Sequence, residues 1–238
     1  SIGEPARAQG LVPTPSDVFS DAQKSAAVAI DIGRRHNETL AESCISRSKD
    51  NEFRFSLHLW QIQNLDVTLP TDQVLATIPA EQRQVLENRL EQGKSPHAAP
   101  NEALCGLFSR SMRNGQLDYA QTDADAAKIV RAIYAADDPM RIAKRDADIG
   151  AGCLKHHYNA GERAFGQIRS LCECQTRAIK ANGADKQIDD WLAELDAKTG
   201  GTPRTGREPG VALAAGTSHH NWIAKALEAA AHCTSVAP

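Results

Sequence analysis

The sequence has few aromatic residues, no long apolar run and little imbalance of charge. Aromatic residues make up only 5% of the 238-residue chain, which counts weakly against a sugar-binding cleft. No apolar run approaches the roughly 18 residues that a membrane helix needs, so we expect a soluble chain without a transmembrane segment. The formal net charge is −3, from 27 basic and 30 acidic residues. Since nucleic-acid-binding domains usually carry a strongly basic face, we expect no nucleic-acid partner.

Recognisable catalytic and phosphate-binding patterns are also missing. The chain contains neither a P-loop nor a dinucleotide-binding glycine fingerprint. The stretch GTPRTGREPG at 201–210 is rich in glycine and proline, but it lacks the required strand-to-helix context. The acidic residues Glu38, Glu42, Glu52 and Glu162 fall on predicted helices, where solvated carboxylates are common. We therefore favour a non-enzymatic protein, with a helical hydrolase of unplaced active site as an alternative.

Apolar residues repeat at helical spacing over much of the chain, and the abundant alanine favours helix. This periodicity predicts helices over 16–48, 139–181 and 185–198. The longest contains several glycines, which imply breaks or close approach to another helix. We predict an all-α fold, a multi-helix antiparallel bundle, with 1–15 as a loose lead-in and 16–238 as a single helical domain.

The segment 53–69 fits two secondary structures. Its opening FRFSLHL alternates apolar and polar residues, which is typical of a strand. Few other strand patterns occur with which it could pair, and an isolated strand is not stable. We therefore favour a helix buried on most sides.

The even number of cysteines favours disulfides, which occur mainly in oxidising compartments. We therefore predict a disulfide-stapled protein that is periplasmic or secreted. Cys44 and Cys105 are 61 residues apart, as are Cys172 and Cys233, so we predict these two bridges. The repeated separation suggests two duplicated halves, 16–118 and 119–238, each with one bridge.

The remaining two cysteines, Cys153 and Cys174, would form the third pair. Both lie near the long predicted helix, and a straight helix would hold them about 31 Å apart. A bridge from Cys153 to Cys174, or to Cys172, therefore requires a break in that helix.

A metal site is the alternative use of these residues. His156 and His157 lie three and four positions after Cys153, so on a helix Cys153 shares a face with either histidine and could chelate zinc or copper with it. A second pair, either Cys172 with Cys174 or His219 with His220, would complete the site. We favour a disulfide at Cys153, ordinary polar histidines and no cofactor.

The leading functional interpretation is an extracytoplasmic, bacterial-type helical protein that binds another protein, as an inhibitor or an immunity-type protein does. The expected contact surfaces are the loop 199–216 and the segment 53–69. A metal-binding helical protein and a helical hydrolase are the alternatives.

Overall fold

The structure is a computed structural model that describes residues 18–47, 52–92, 100–160, 165–198 and 221–234. Every regular element in these ranges is a helix, and none is a strand. The all-α prediction is therefore confirmed. No helix in these ranges is both long enough and apolar enough to cross a membrane.

The described chain forms eleven α-helices and a short terminal 3-10 helix. In chain order these are α1 (Asp21–Arg47), α2 (Glu52–Gln63), α3 (Leu65–Leu75), α4 (Ala80–Glu91), α5 (Glu102–Arg113), α6 (Tyr119–Thr122), α7 (Ala124–Ala135), α8 (Asp138–Ala160), α9 (Phe165–Asn182), α10 (Asp185–Lys198), α11 (Asn221–Ala231) and the 3-10 helix His232–Thr234. The lead-in over 1–15 and the loop 199–216 lie outside the described residues.

The first helix begins at Asp21 rather than at residue 16. Ser20 Oγ accepts a hydrogen bond from Gln23 N at 3.2 Å, and Gln23 Oε1 accepts one from Ser20 N at 2.9 Å. This reciprocal pair is a capping box, which satisfies backbone donors that the first turn leaves unpaired. The start of α1 is therefore set by the local sequence at Ser20.

The predicted helix over 53–69 is confirmed as α2 and the start of α3, joined at Asn64. The Asn64 side chain donates to the carbonyl of Trp60 at 2.9 Å and accepts from Tyr119 N at 3.0 Å. The buried side chains of α2 are Phe53, Phe55, Ser56, Leu59, Trp60 and Ile62. The buried face covers about half of the helix circumference and includes Phe53, Phe55 and Leu59, whose two-residue spacing resembled that of a strand.

The prediction of one helix over 139–181 is wrong, because α8 and α9 are separate helices that pack against each other. The first of them ends at Ala160 and the second begins at Phe165, and residues 161–164 lie outside the described residues. Packing α8 against α9 buries apolar residues of both, including Leu154 and Ile168, whereas a single straight helix would leave these faces apart.

Three disulfides link the described helices, and every cysteine in these ranges is paired. The predicted bridge Cys44–Cys105 is confirmed and joins α1 to α5. The predicted bridge between Cys172 and Cys233 is wrong, and so is the pairing of Cys153 with Cys174. The observed pairs are Cys153–Cys172 and Cys174–Cys233.

Helix geometry explains the exchange of partners. Cys172 and Cys174 are two positions apart on α9, so their side chains point about 200° apart around the helix axis. Cys172 faces α8, where its Cα lies 5.6 Å from that of Cys153. Cys174 faces the 3-10 helix that carries Cys233, with a Cα separation of 5.7 Å.

The buried apolar residues form three clusters. The first contains buried residues of α1, α2, α3, α5, α6 and α7. It includes Tyr119 and Val130, so it extends past residue 118. The second contains residues of α8, α9, α10 and α11 and is centred on Ile179, Trp191 and Ile223. The third packs α2 against α8 and α9. It consists of Phe55, Leu59, Ile62, Ala151, Cys153, Leu154, Ile168 and Cys172. The duplication of two halves stays a prediction.

Candidate functional site

The predicted Cys/His metal cluster lies only partly within the described residues. Cys153 is in a disulfide, so its sulfur is not the thiolate that binds zinc or copper. His156 is exposed, and its ring contacts the His157 ring edge-on at a centroid distance of 5.3 Å. His219 and His220 lie outside the described residues. Within the described ranges, no group of three or more His, Cys, Asp or Glu side chains could hold a metal ion.

A groove of about 340 Å³ opens between α2, α8 and α9. His58 and Ile62, one helical turn apart, line it from α2, and the small residues Ala147 and Gly150 line it from α8. The other lining residues are Asp146, Leu154, Arg169, Cys172, Glu173, Thr176, Arg177 and Lys180. Ligand sites in proteins commonly have roughly 300–1,000 Å³ and a mainly apolar lining with a few polar groups. The groove therefore lies at the lower end of the volume range of small-molecule sites.

Four charged residues of the groove form one stripe on α9, and a fifth, Asp146, lies on α8. Arg169, Glu173, Arg177 and Lys180 follow one another at steps of four or three residues, which places them on one helix face. Arg169 Nε donates to Glu173 Oε1 at 2.7 Å. Lys180 Nζ lies 2.7 Å from Asp146 Oδ2, close enough for an ion pair but without hydrogen-bond alignment. Arg177 is exposed and has no ion-pair partner among the described residues, so it carries the surplus positive charge.

His58 is the titratable residue on the α2 side of the groove. Its half-buried ring meets Phe165 edge-on at a centroid distance of 5.9 Å. Burial lowers the pKa of His58, and the positive charge of Arg169 lowers it further, while Glu173 acts in the opposite direction. Neither ring nitrogen hydrogen-bonds to another side chain in the described part of the chain. The imidazole is therefore available to a bound group.

The chemistry of the groove suits binding. Nucleophilic catalysis needs a base within hydrogen-bond reach of a hydroxyl or thiol. The hydroxyl that lines the groove, Thr176 Oγ1, donates instead to the carbonyl of Cys172 at 2.9 Å. The sulfur of Cys172 itself is in a disulfide. The groove therefore presents an apolar lining, an imidazole and a row of charges to whatever enters it.

A cluster of ion pairs around Asp31 attaches α4 to α1. The Asp31 side chain is 4% exposed and pairs with Arg34, Arg35 and Arg83. Arg83 belongs to α4, which has no fully buried residue of its own. A buried carboxylate needs such partners because desolvation of an unpaired charge is costly. We assign this cluster a structural role.

A second cluster around Arg145 attaches α10 to α8. The guanidinium lies 2.7 Å from Asp146, 2.8 Å from Asp185 and 3.2 Å from Asp189. Burial alone would lower the pKa of Arg145, but hydrogen bonds to Asp185 and Asp146 raise it above its ordinary value. Since its donors are already used within the protein, Arg145 also serves structure.

The groove includes part of one surface that the sequence indicated, because His58 and Ile62 belong to the segment 53–69. The contribution of α9 was missed. Its signal was the helical spacing of Arg169, Glu173, Arg177 and Lys180. Such a stripe is usually a solvated helix face, and only the reversal between α8 and α9 places it beside α2.

Comparisons with models of known protein families, with curated proteins and with solved structures find no significant match. Function is therefore inferred from the geometry and chemistry of the groove. The three disulfides are consistent with an oxidising environment outside the cytoplasm.

Proposed function

We propose that this chain is a non-enzymatic, bacterial-type binding protein of the periplasm or the extracellular space. It captures another protein in the groove between α2, α8 and α9, as an inhibitor or an immunity-type protein would. The observation that carries this proposal is a single surface with an apolar lining and a charged stripe, formed in part by the segment 53–69. Helical and extended segments of partner proteins bind in grooves of this kind.

The disulfides support this role by bracing the walls of the groove. Cys172 lines the groove and is bonded to Cys153, which ties α9 to α8. Two positions further along α9, Cys174 is bonded to Cys233. A site held rigid before binding loses less conformational entropy on capture, which favours affinity. The same bonds are typical of proteins that function in oxidising compartments.

A protein partner fits the charges better than a nucleic acid does. The groove contains three cationic side chains, but two of them are paired with Glu173 and Asp146. Proteins that bind nucleic acid neutralise several phosphates with unpaired Lys and Arg. One surplus cation, in a chain of net charge −3, does not supply such a surface.

Site-specific photo-crosslinking tests the proposal. A photoreactive amino acid replaces Arg169 or Lys180, two half-exposed residues that line the groove, and the similarly exposed Leu107 on α5 serves as the matched control. Each variant is exported to the oxidising compartment of its host before irradiation. We expect both groove positions to crosslink to the same protein and the Leu107 position not to do so. Equal crosslinking from all three positions would contradict a role for the groove.

Metal analysis of the same purified protein tests the alternative at His156 and His157. Stoichiometric zinc or copper that is lost on replacing both histidines would favour metal binding over protein capture.

A further inference from the structure

We infer that the groove selects an acidic segment of its partner, with an apolar side chain seated against α8 and a neighbouring carboxylate paired with Arg177. The inference rests on the proposed function and adds the chemistry of the bound segment.

The apolar half of the site follows from small residues on one face of α8. Ala147 and Gly150 line the groove together with the larger side chains of Ile62 and Leu154, and their small size leaves open volume next to an apolar lining. A Cβ at Gly150 would meet only Thr176 Oγ1, at 3.6 Å, so a larger side chain there would extend into the groove. Burial of an apolar side chain in this space removes apolar surface from water on both partners.

The acidic half follows from the pairing along α9. Arg169 is neutralised by Glu173 and Lys180 by Asp146, but Arg177 has no partner among the described residues. A carboxylate beside Arg177 would complete the row of ion pairs. A cationic segment would be repelled by Arg177, and the nearby carboxylates of Glu173 and Asp146 are already paired with Arg169 and Lys180.

The location of this charge gives the bound segment a direction. Arg177 lies eight residues after Arg169, which is about 12 Å along the axis of α9. His58 lies at the Arg169 end, because its ring contacts that of Phe165, the first residue of α9, at a centroid distance of 5.9 Å. The carboxylate of the partner therefore lies at the Lys180 end, and the imidazole contacts the other end of the segment.

Selectivity must come from this local charge because the protein as a whole is acidic. Its net charge of −3 would slightly repel acidic segments in general. Charges separated by more than about 8 Å are largely screened at physiological ionic strength. The contact with Arg177 therefore dominates over the mean charge of the chain.

A peptide selection tests the inference. A random dodecapeptide phage library is selected on the full, disulfide-bonded chain, after removal of peptides that bind the Gly150→Leu variant. Leucine at this position fills the groove and also replaces a glycine inside a helix, which should favour folding. We expect the enriched peptides to combine a large apolar residue with Asp or Glu within one helical turn.

Charge reversal provides the quantitative test. Arg177→Glu should weaken the enriched peptides by about tenfold, as expected when one partly exposed ion pair becomes a repulsion, and a new selection on this variant should enrich Lys or Arg. The control is Arg110→Glu, the same change at an exposed arginine on α5, which should change affinity less than about twofold. Circular dichroism and thermal unfolding confirm that each variant is folded.

The outcomes separate the two proposals. Peptides that require an open groove but contain no preferred acidic residue, or that bind Arg177→Glu equally well, would overturn the inference and leave protein capture standing. If no peptide distinguishes the natural chain from Gly150→Leu, the groove is not the capture surface and both proposals fail.

Discussion

Gly183 is a position where one methyl group should destabilise the fold measurably. It follows the last residue of α9, and a Cβ there would lie 2.9 Å from Cε3 and Cζ3 of Trp222 and 3.0 Å from Cγ1 of Ile188. Trp222 and Ile188 are both buried, at 7% and 1% exposure, so neither can move aside into solvent. Inserting a methyl group into a packed core costs about 1–3 kcal/mol. We expect Gly183→Ala to lower the free energy of unfolding by about 2 kcal/mol and Tm by roughly 4–8 °C.

The matched control is the same substitution at Gly106. This residue lies in the middle of α5, is exposed, and a Cβ built on it would have no atom within 4 Å. Gly106→Ala should raise the free energy of unfolding by about 0.5–1 kcal/mol through helix propensity alone. Urea unfolding of the disulfide-intact proteins, followed by circular dichroism, measures both. Equal stability of Gly183→Ala and Gly106→Ala would contradict the packing of Trp222 over the end of α9.

Two further predictions concern the disulfides and the histidine of the groove. Replacing Cys44 and Cys105 together by alanine should cost about 4 kcal/mol, and replacing Cys153 and Cys172 about 3 kcal/mol, because the bridges span separations of 61 and 19 residues. Urea unfolding shows which double variant loses more stability. A larger loss on removing Cys153–Cys172 would contradict the loop-closure explanation. The pKa of His58 in the folded protein should lie below its ordinary value of 6.5 because the ring is buried. As the pH falls below 6.5, His58 is protonated in the unfolded chain before it is protonated in the folded protein. The free energy of unfolding therefore decreases with falling pH until the folded ring is also protonated. An NMR titration of the imidazole measures this pKa, and a midpoint at or above 6.5 would contradict the burial of His58.

Local sequence patterns determined the class of the fold and several of its elements. The helix over 185–198 was predicted with the bounds that α10 has in the structure. The segment 53–69 was correctly predicted as helix, because the chain offered no second strand with which it could pair. The Cys44–Cys105 bridge was also predicted correctly, although the equal spacing on which it was based also predicted the wrong Cys172–Cys233 bridge. The helical periodicity that underlies the fold prediction depends only on neighbours within one or two turns of the chain.

Tertiary structure alone decided the pairing of the other four cysteines. The glycines within the helical pattern over 139–181 implied breaks but did not single out where the chain reverses, and the reversal is what brings Cys153 to Cys172. The direction of each side chain around α9 then separated the partners of Cys172 and Cys174. Both facts depend on which helix lies against which face, and this is set by burial of apolar surface between distant segments.

The groove shows the same division between sequence and structure. The sequence alone determined that His58 and Ile62 share a face of α2 and that Arg169, Glu173, Arg177 and Lys180 share a face of α9. It did not determine that these two faces meet across the small residues of α8. That arrangement arises because α2, α8 and α9 bury a common apolar cluster. A binding surface built from three helices therefore becomes visible only once their packing is known.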